Sequence, residues 1–307
     1  MTTQRGVVAL RMLDTTIVIP CYNEAQRLDI DCFVRFVTSD PPCRLLLVED
    51  GSTDDTLAIL EALRECEPQH VDVLALAQNQ GKAEAVRHGV LAAMDQGSKY
   101  VGYWDADLAT PLEAIADFRA KLVSDQQLQA IFGSRVRMLG RNIRRQLVRH
   151  LLGRVFATGA SFTLGLGIYD TQCGAKLFRA DRKTQQLFEK PFLTNWIFDV
   201  ELIARMLGSW ASREAVAAAI YEMPLDDWYD VAGSKVRPRD FFKALFELNQ
   251  IYWNYLRGIP DAAVRAAAEA ESAETESAET EKAGSDRPVD VSPKVDLKPR
   301  KALLTQP

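Results

Sequence analysis

Hydrophobic positions in the first half of the chain fall into short unbroken runs separated by stretches with helical spacing. The runs at 15–20 (TTIVIP), 44–49 (RLLLVE), 71–77, 99–104 and 129–133 are too short for helices. Pro, Gly or Asn/Asp clusters bound them, so they read as buried strands. Between them, 24–37, the stretch from the turn at 50–54 to about residue 66, 82–94 and a segment opened by Pro111 carry the apolar spacing of helices. Within 82–94, Gly89 falls on a face where a small residue permits close packing. Fully apolar strands in strict alternation with helices predict a Rossmann-like α/β fold over 15–135. Its sheet is mostly parallel, with helices on both faces.

The pattern then changes. Residues 141–164 form an amphipathic helical stretch, 174–179 a strand, 195–207 a helix with Asp199 and Glu201 in its first turn, and 215–223 a strand. The helix predicted over 239–256 carries Phe241, Phe242, Phe246, Tyr252, Trp253 and Tyr255. Such coverage serves either packing against the sheet or an interfacial helix with aromatic rings at head-group depth. From 261 the chain turns to Ala, Glu, Ser and Thr, with ESAET twice in succession at Glu271 and Glu276, and has no aromatic residue. It cannot bury enough surface to offset chain entropy, so 261–307 is expected to be a disordered tail. The expected organisation is an N-terminal extension (1–14), two halves of one domain (15–135 and 136–260) and that tail.

Composition refines this picture. Of 307 residues 47% are hydrophobic, enough for a sizeable core, and the net charge is −5. The charge is uneven: 126–169 holds seven arginines and no Asp or Glu, which favours an anionic partner on that segment. A nucleic-acid partner is not expected. Five cysteines without a Cys-x-x-Cys pair argue against a disulfide scaffold or a zinc site, and fit a reducing compartment. There is no signal-like leader, and no run reaches the roughly 18 apolar residues that span a bilayer. The expected location is therefore cytoplasmic, peripheral on the cytoplasmic face of a membrane.

Asp105-Ala106-Asp107 ends an apolar strand and places two carboxylates at the carboxyl edge of the sheet, where open α/β folds take ligands. Hard oxygen donors at this spacing suit Mg²⁺ or Mn²⁺ shared with substrate phosphates. Three other strand ends carry polar signatures: Pro20-Cys21-Tyr22-Asn23-Glu24, Glu49-Asp50-Gly51-Ser52-Thr53-Asp54 and Asn79-Gln80-Gly81-Lys82. In a parallel sheet all four loops share one edge. Asp54 either serves the ligand or is a helix N-terminal carboxylate. Arg145 and Arg149, one helical turn apart, share a face and suit an acceptor phosphate.

This ordered set of loops resembles the family 2 glycosyltransferases, which implies the nucleotide-binding GT-A fold. Tyr169-Asp-Thr-Gln-Cys-Gly-Ala-Lys-Leu-Phe178, Trp196-Ile-Phe-Asp-Val-Glu201 and Val231-Ala-Gly-Ser-Lys-Val236 look like the branch that moves a sugar to a polyprenyl phosphate. The dolichyl-phosphate glucosyltransferases are the nearest likeness, with the mannosyltransferases close by. The resemblance covers 15 to about 257.

It implies an inverting, metal-dependent transfer of a hexose, glucose from UDP-glucose first, to polyprenyl or dolichyl phosphate at a membrane surface. Asp105 and Asp107 would hold the metal. Asp105 would also line the nucleotide-sugar pocket, with Pro20, Tyr22 and Glu24, and Asp50 and Lys82 would sit there near the base and ribose. Arg135 would meet phosphate. Ala109 stands where the mannosyl branch often has Gln as a further metal ligand, which weighs against mannosyl transfer and leaves the third ligand unidentified. Asp199 is the implied catalytic base for a hydroxyl acceptor. A phosphate monoester, with a second pKa of about 6, is largely dianionic at neutral pH and needs no base; there Asp199 would orient the sugar or acceptor.

The alternatives are mannosyl transfer from GDP-mannose, or transfer to a saccharide hydroxyl. A sugar nucleotidyltransferase would carry a glycine-rich loop with Arg and Lys after the first strand, where this chain has PCYNEAQR. Intact Asp105, Asp107 and Asp199 argue against a binding protein that has lost catalysis.

Overall fold

The alternation of strand and helix holds to residue 134: β1 (Thr15–Cys21), α1 (Ile30–Thr38), β2 (Arg44–Glu49), α2 (Thr56–Cys66), β3 (Val71–Ala75), α3 (Lys82–Asp95), β4 (Tyr100–Trp104), α4 (Ala114–Ser124) and β5 (Ala130–Ser134). β6 (Asn142–Arg144), α5 (Leu147–Leu164), β7 (Ala175–Arg179), α6 (Arg182–Glu189), α7 (Phe198–Ser209), α8 (Arg213–Ala219), β8 (Ile220–Pro224), β9 (Asp227–Tyr229) and α9 (Pro238–Ile251) follow. The last helix continues as a π-helical turn, Tyr252–Leu256. The structure is a computed structural model that describes residues 13–39, 41–144, 147–210, 212–229 and 238–258. The expected tail at 261–307, the 231–236 segment and Arg145 lie outside the described residues.

The main sheet runs β3-β2-β1-β4-β7-β5-β8. Every neighbouring pair is parallel except those of β7, which lies antiparallel between β4 and β5. Strand side chains alternate between two cores. Val18, Leu46, Val48, Tyr103, Phe132 and Phe178 face α3, α5, α6, α7 and α9. Ile17, Ile19, Leu45, Leu47, Trp104 and Ile131 face α1, α2 and α4. The period of two along each strand sends successive side chains to opposite faces, so both layers are built from the same short runs. Gly89 lets α3 lie against the sheet: a Cβ there would come within 2.4 Å of Val18 Cγ1 and 2.8 Å of Val48 Cγ2.

Several expected boundaries move, each for a local reason. α1 starts at Ile30 because the Asp29 side chain accepts from Cys32 N at 2.9 Å, while 24–28 form a turn. The strand expected at 215–223 begins only at Ile220. Ser212 caps α8 through Ala215 N, and the Ala-rich sequence behind it favours helix. α6, which the hydrophobic pattern does not announce, is capped by Asp181. The head of the 141–164 stretch is β6, which pairs in parallel with β9 and buries Ile143 near Trp228.

Candidate functional site

The four strand-end loops hold one another. After β1, Asn23 N donates to Ser52 Oγ at 3.0 Å, and Thr53 N donates back to Asn23 Oδ1 at 2.9 Å. Glu24 N donates to Thr56 Oγ1. After β2, the Asp50 carboxylate accepts from Gln80 N and Gly81 N at 2.8 Å each and from Asn79 Nδ2 at 3.0 Å. It therefore clamps the third loop, and burial raises its pKa despite those bonds. Lys82, first residue of α3, places Nζ 2.5 Å from Asp105 Oδ1 at the end of β4. Parallel strand polarity puts these loops on one edge, and the bonds make them one surface.

Around it, Pro20 is partly exposed and Tyr22 is 38% exposed, while Glu24 pairs with Arg27 at 3.1 Å. Asp54 accepts from Thr56 N at the start of α2 and from Ala25 N, joining the first two loops.

Asp105 and Asp107 form the carboxylate pair. Burial first, and then the negative charge of Asp105, raises the Asp107 pKa. Burial opposes the charge on Lys82, but Asp105 and Asp199 outweigh it and hold the ammonium above its ordinary value. Asp105 Oδ1 is shielded from water, and the Lys82 ammonium 2.5 Å away is its partner and counter-charge. No group of three or more His, Cys, Asp or Glu able to hold a metal occurs among the described residues. The two carboxylates fit a divalent ion that completes its shell with phosphate oxygens and water, the habit of Mg²⁺.

Asp199, in the first turn of α7, is buried. Its Oδ1 accepts from Lys176 Nζ at 2.5 Å and from the Tyr103 hydroxyl. Burial first and then Asp199 push the Tyr103 pKa well up. The loop leading to Asp199 is pinned by carboxylates: Glu201 accepts from Leu193 N and Thr194 N, and Glu247 of α9 from Trp196 N and Ile197 N. This is why α7 begins at Phe198 and not at 195.

Arg135 follows β5 and makes a two-pronged pair with Asp170, Nε to Oδ2 at 2.6 Å and Nη2 to Oδ1 at 2.7 Å. Asp170 outweighs the cost of burying its charge and raises its pKa. Its guanidinium carbon lies 5.3 Å from the Trp228 ring centroid. Arg149 lies in the first turn of α5.

The sequence reading assigned no role to Lys176, Tyr103 or Gly174. Two signals were present. A lysine in the apolar run Ala175-Lys176-Leu177-Phe178 must be paired if it is buried, and a glycine at a strand start marks close approach. A Cβ on Gly174 would lie 1.9 Å from Asp105 Oδ2, and Asp105 N donates to Gly174 O at 2.9 Å.

A mostly parallel sheet covered on both faces, with a carboxylate pair at its ligand-binding edge, defines an α/β fold of the GT-A kind. Glucosyl-3-phosphoglycerate synthase from Mycobacterium tuberculosis, solved in complex with Mn²⁺, UDP and glucosyl-3-phosphoglycerate, shares the fold at a TM-score of 0.57. That match has 19% identity and covers 85% of this chain and 88% of that one. Residues 16–183 match the family described as Glycosyl transferase family 2, and the chain belongs to that family. It is 32% identical over 265 residues to a dolichyl-phosphate beta-glucosyltransferase of Saccharomyces cerevisiae, covering 80% of this chain and 75% of the relative. It is 28% identical over 261 residues to the same kind of enzyme from Dictyostelium discoideum, with 80% and 75% covered.

Proposed function

We propose that this glycosyltransferase moves glucose from UDP-glucose to a polyprenyl phosphate at the cytoplasmic face of a membrane. The observation that carries the reading is the single surface made by four strand-end loops, with Lys82 on Asp105 beside Asp107 and Asp199 behind them. The similarity to dolichyl-phosphate beta-glucosyltransferases supports the sugar and the acceptor class.

In this reading Pro20, Tyr22, Glu24 and Asp50 line the nucleotide pocket, and Lys82 meets the diphosphate. Asp105 and Asp107 would hold Mg²⁺ or Mn²⁺, which supplies neutralisation of the charge that develops on the leaving diphosphate. An oxygen of the acceptor phosphate forms the bond to C1 as the bond from C1 to the diphosphate oxygen breaks, with inversion at C1. The diphosphate departs with the electron pair. The dianionic acceptor has no proton to lose, so Asp199 orients rather than deprotonates. Arg145 and Arg149 are assigned to the acceptor phosphate, and so is Arg135, although Asp170 takes its Nε and Nη2.

Among the described residues no helix is long and apolar enough to cross a membrane. Membrane contact is assigned to the outer faces of α5 and α9. Leu151, Val155 and Phe162 project from the first, with Phe162 84% exposed; Phe246 projects from the second, and Tyr252 and Trp253 from its π-helical continuation. Tyr255 instead turns inward and donates to Glu201 at 2.8 Å.

The test is a panel of labelled UDP- and GDP-sugars with Mg²⁺ or Mn²⁺, with and without polyprenyl phosphate, counting label in the organic phase. Label from UDP-glucose alone, lost with Asp105→Ala, is the expected result. Label from GDP-mannose would reassign the donor. If no donor labels lipid while one still binds tightly, the lipid acceptor is refuted and Asp199 is restored as the base for a hydroxyl acceptor. Asp199→Asn would then cost about 10²–10⁴-fold, and less with a phosphate acceptor.

A further inference from the structure

Lys176 is buried to 0% exposure on β7, the sheet strand that runs against its neighbours. Its ammonium donates to Thr171 O at 3.1 Å, Cys173 O at 2.7 Å and Asp199 Oδ1 at 2.5 Å. It also lies 5.4 Å from the Tyr103 ring centroid and 5.0 Å from that of Phe132. Asp199 Oδ1 takes the Tyr103 hydroxyl as well. Both donors reach one oxygen; among the described residues Oδ2 accepts no hydrogen bond, and the side chain keeps 7% exposure.

The pair is next to the reacting centre. Tyr103 is two residues before Asp105, and Lys176 two residues after the glycine that supports it. Lys82 Nζ, on Asp105, lies 5.9 Å from the ring centroid of Phe198, the neighbour of Asp199. An ionised carboxylate only accepts hydrogen bonds. A phosphate facing Oδ2 would meet like charge, whereas an uncharged hydroxyl can donate to it.

Resting on the nucleotide-sugar reading above, we propose that Lys176 and Tyr103 are positioning residues. They hold Asp199 by Oδ1 so that Oδ2 receives one hydroxyl of the donor hexose. Burying Asp199 without Lys176 would leave an uncompensated charge, and without Tyr103 the carboxylate could rotate about its Cβ–Cγ bond. The unit selects for a hydroxyl at one position of the sugar ring.

The test is calorimetric binding of UDP, UDP-glucose and the four singly deoxygenated UDP-glucoses to wild type, Lys176→Met and Tyr103→Phe. Wild type should bind UDP-glucose more tightly than UDP, and loss of one hydroxyl should cost about 10- to 100-fold, the range for a hydrogen bond to a charged group. In Lys176→Met the penalty at that one position should collapse, with UDP affinity and the other positions unchanged. Tyr103→Phe keeps the ion pair and should give a partial loss at the same position, which keeps the test decisive if the lysine variant does not fold. A uniform drop across all sugars, an unchanged deoxy profile, or equal wild-type affinity for UDP and UDP-glucose overturns the proposal. Failure of wild type to label polyprenyl phosphate would defeat the proposed function instead, and the binding profile would still decide this assignment.

Discussion

Replacing Gly174 with alanine tests whether the Asp105 carboxylate is placed by the strand beneath it. The added Cβ would lie 1.9 Å from Oδ2, 2.1 Å from Cγ and 2.5 Å from Oδ1 of Asp105. Ordinary carbon–carbon contact is about 3.5–4.0 Å, so the whole carboxylate must move by more than about 1 Å. The backbone bond from Asp105 N to Gly174 O blocks relief by separating the strands, which leaves rotation of the Asp105 side chain away from Lys82. A misplacement of about 1 Å at a reacting centre can cost about 10²-fold, and overpacking a dense site costs about 1–3 kcal/mol of stability. Gly174→Ala should therefore lower label transfer to lipid by about 10²-fold and weaken Mn²⁺ binding, followed by electron paramagnetic resonance. In an Asp105→Ala background the carboxylate is gone and the clash with it. The added alanine should then leave the melting temperature unchanged, a non-additivity expected of residues in contact. Activity of Gly174→Ala within threefold of wild type, or full additivity in the double variant, would refute the reasoning.

Two further outcomes follow from charge. Lys82→Met removes the ammonium beside Asp105, so Mn²⁺ should bind without nucleotide about 2- to 5-fold more tightly, in keeping with a half-exposed pair worth up to about 1 kcal/mol, while UDP binding weakens; unchanged Mn²⁺ affinity would show that Lys82 is not the counter-cation of Asp105. Arg119 grips Asp14 at 3.0 and 2.9 Å; burial opposes the Asp14 charge, but these bonds outweigh it and lower its pKa from 3.8. A carboxyl with a depressed folded value contributes stability that is full above pH 3.8 and lost as pH falls through the folded value. Wild type should thus exceed Asp14→Asn by up to about 1 kcal/mol in urea titrations near neutral pH, and the gap should shrink as pH falls below 3.8; a gap that does not narrow in acid would refute the assignment.

The alternation of apolar runs and helical spacing was sufficient for the parallel core and for the edge that carries the site. Strand polarity alone sends the ends of β1, β2, β3 and β4 to one side, so Asp50, Lys82, Asp105 and Asp107 could be grouped before any contact was known. The caps at Asp29, Ser212 and Asp181 set the starts of α1, α8 and α6, and the hydrophobic pattern predicts none of those starts. Tertiary structure decided which polar groups are spent on one another. Asp50 clamps the Asn79–Lys82 loop across about thirty residues, Arg135 is forked onto Asp170 35 residues on, and Tyr103 meets Asp199 across a separation of 96. The last two depend on β7 entering antiparallel between β4 and β5, which brings Lys176 and Gly174 against the Asp105 strand. A periodic pattern records which face of a strand is buried, but not which strand lies beside it. The neighbours of a buried charge are therefore set by strand order, a property of the packed sheet rather than of any local stretch of sequence.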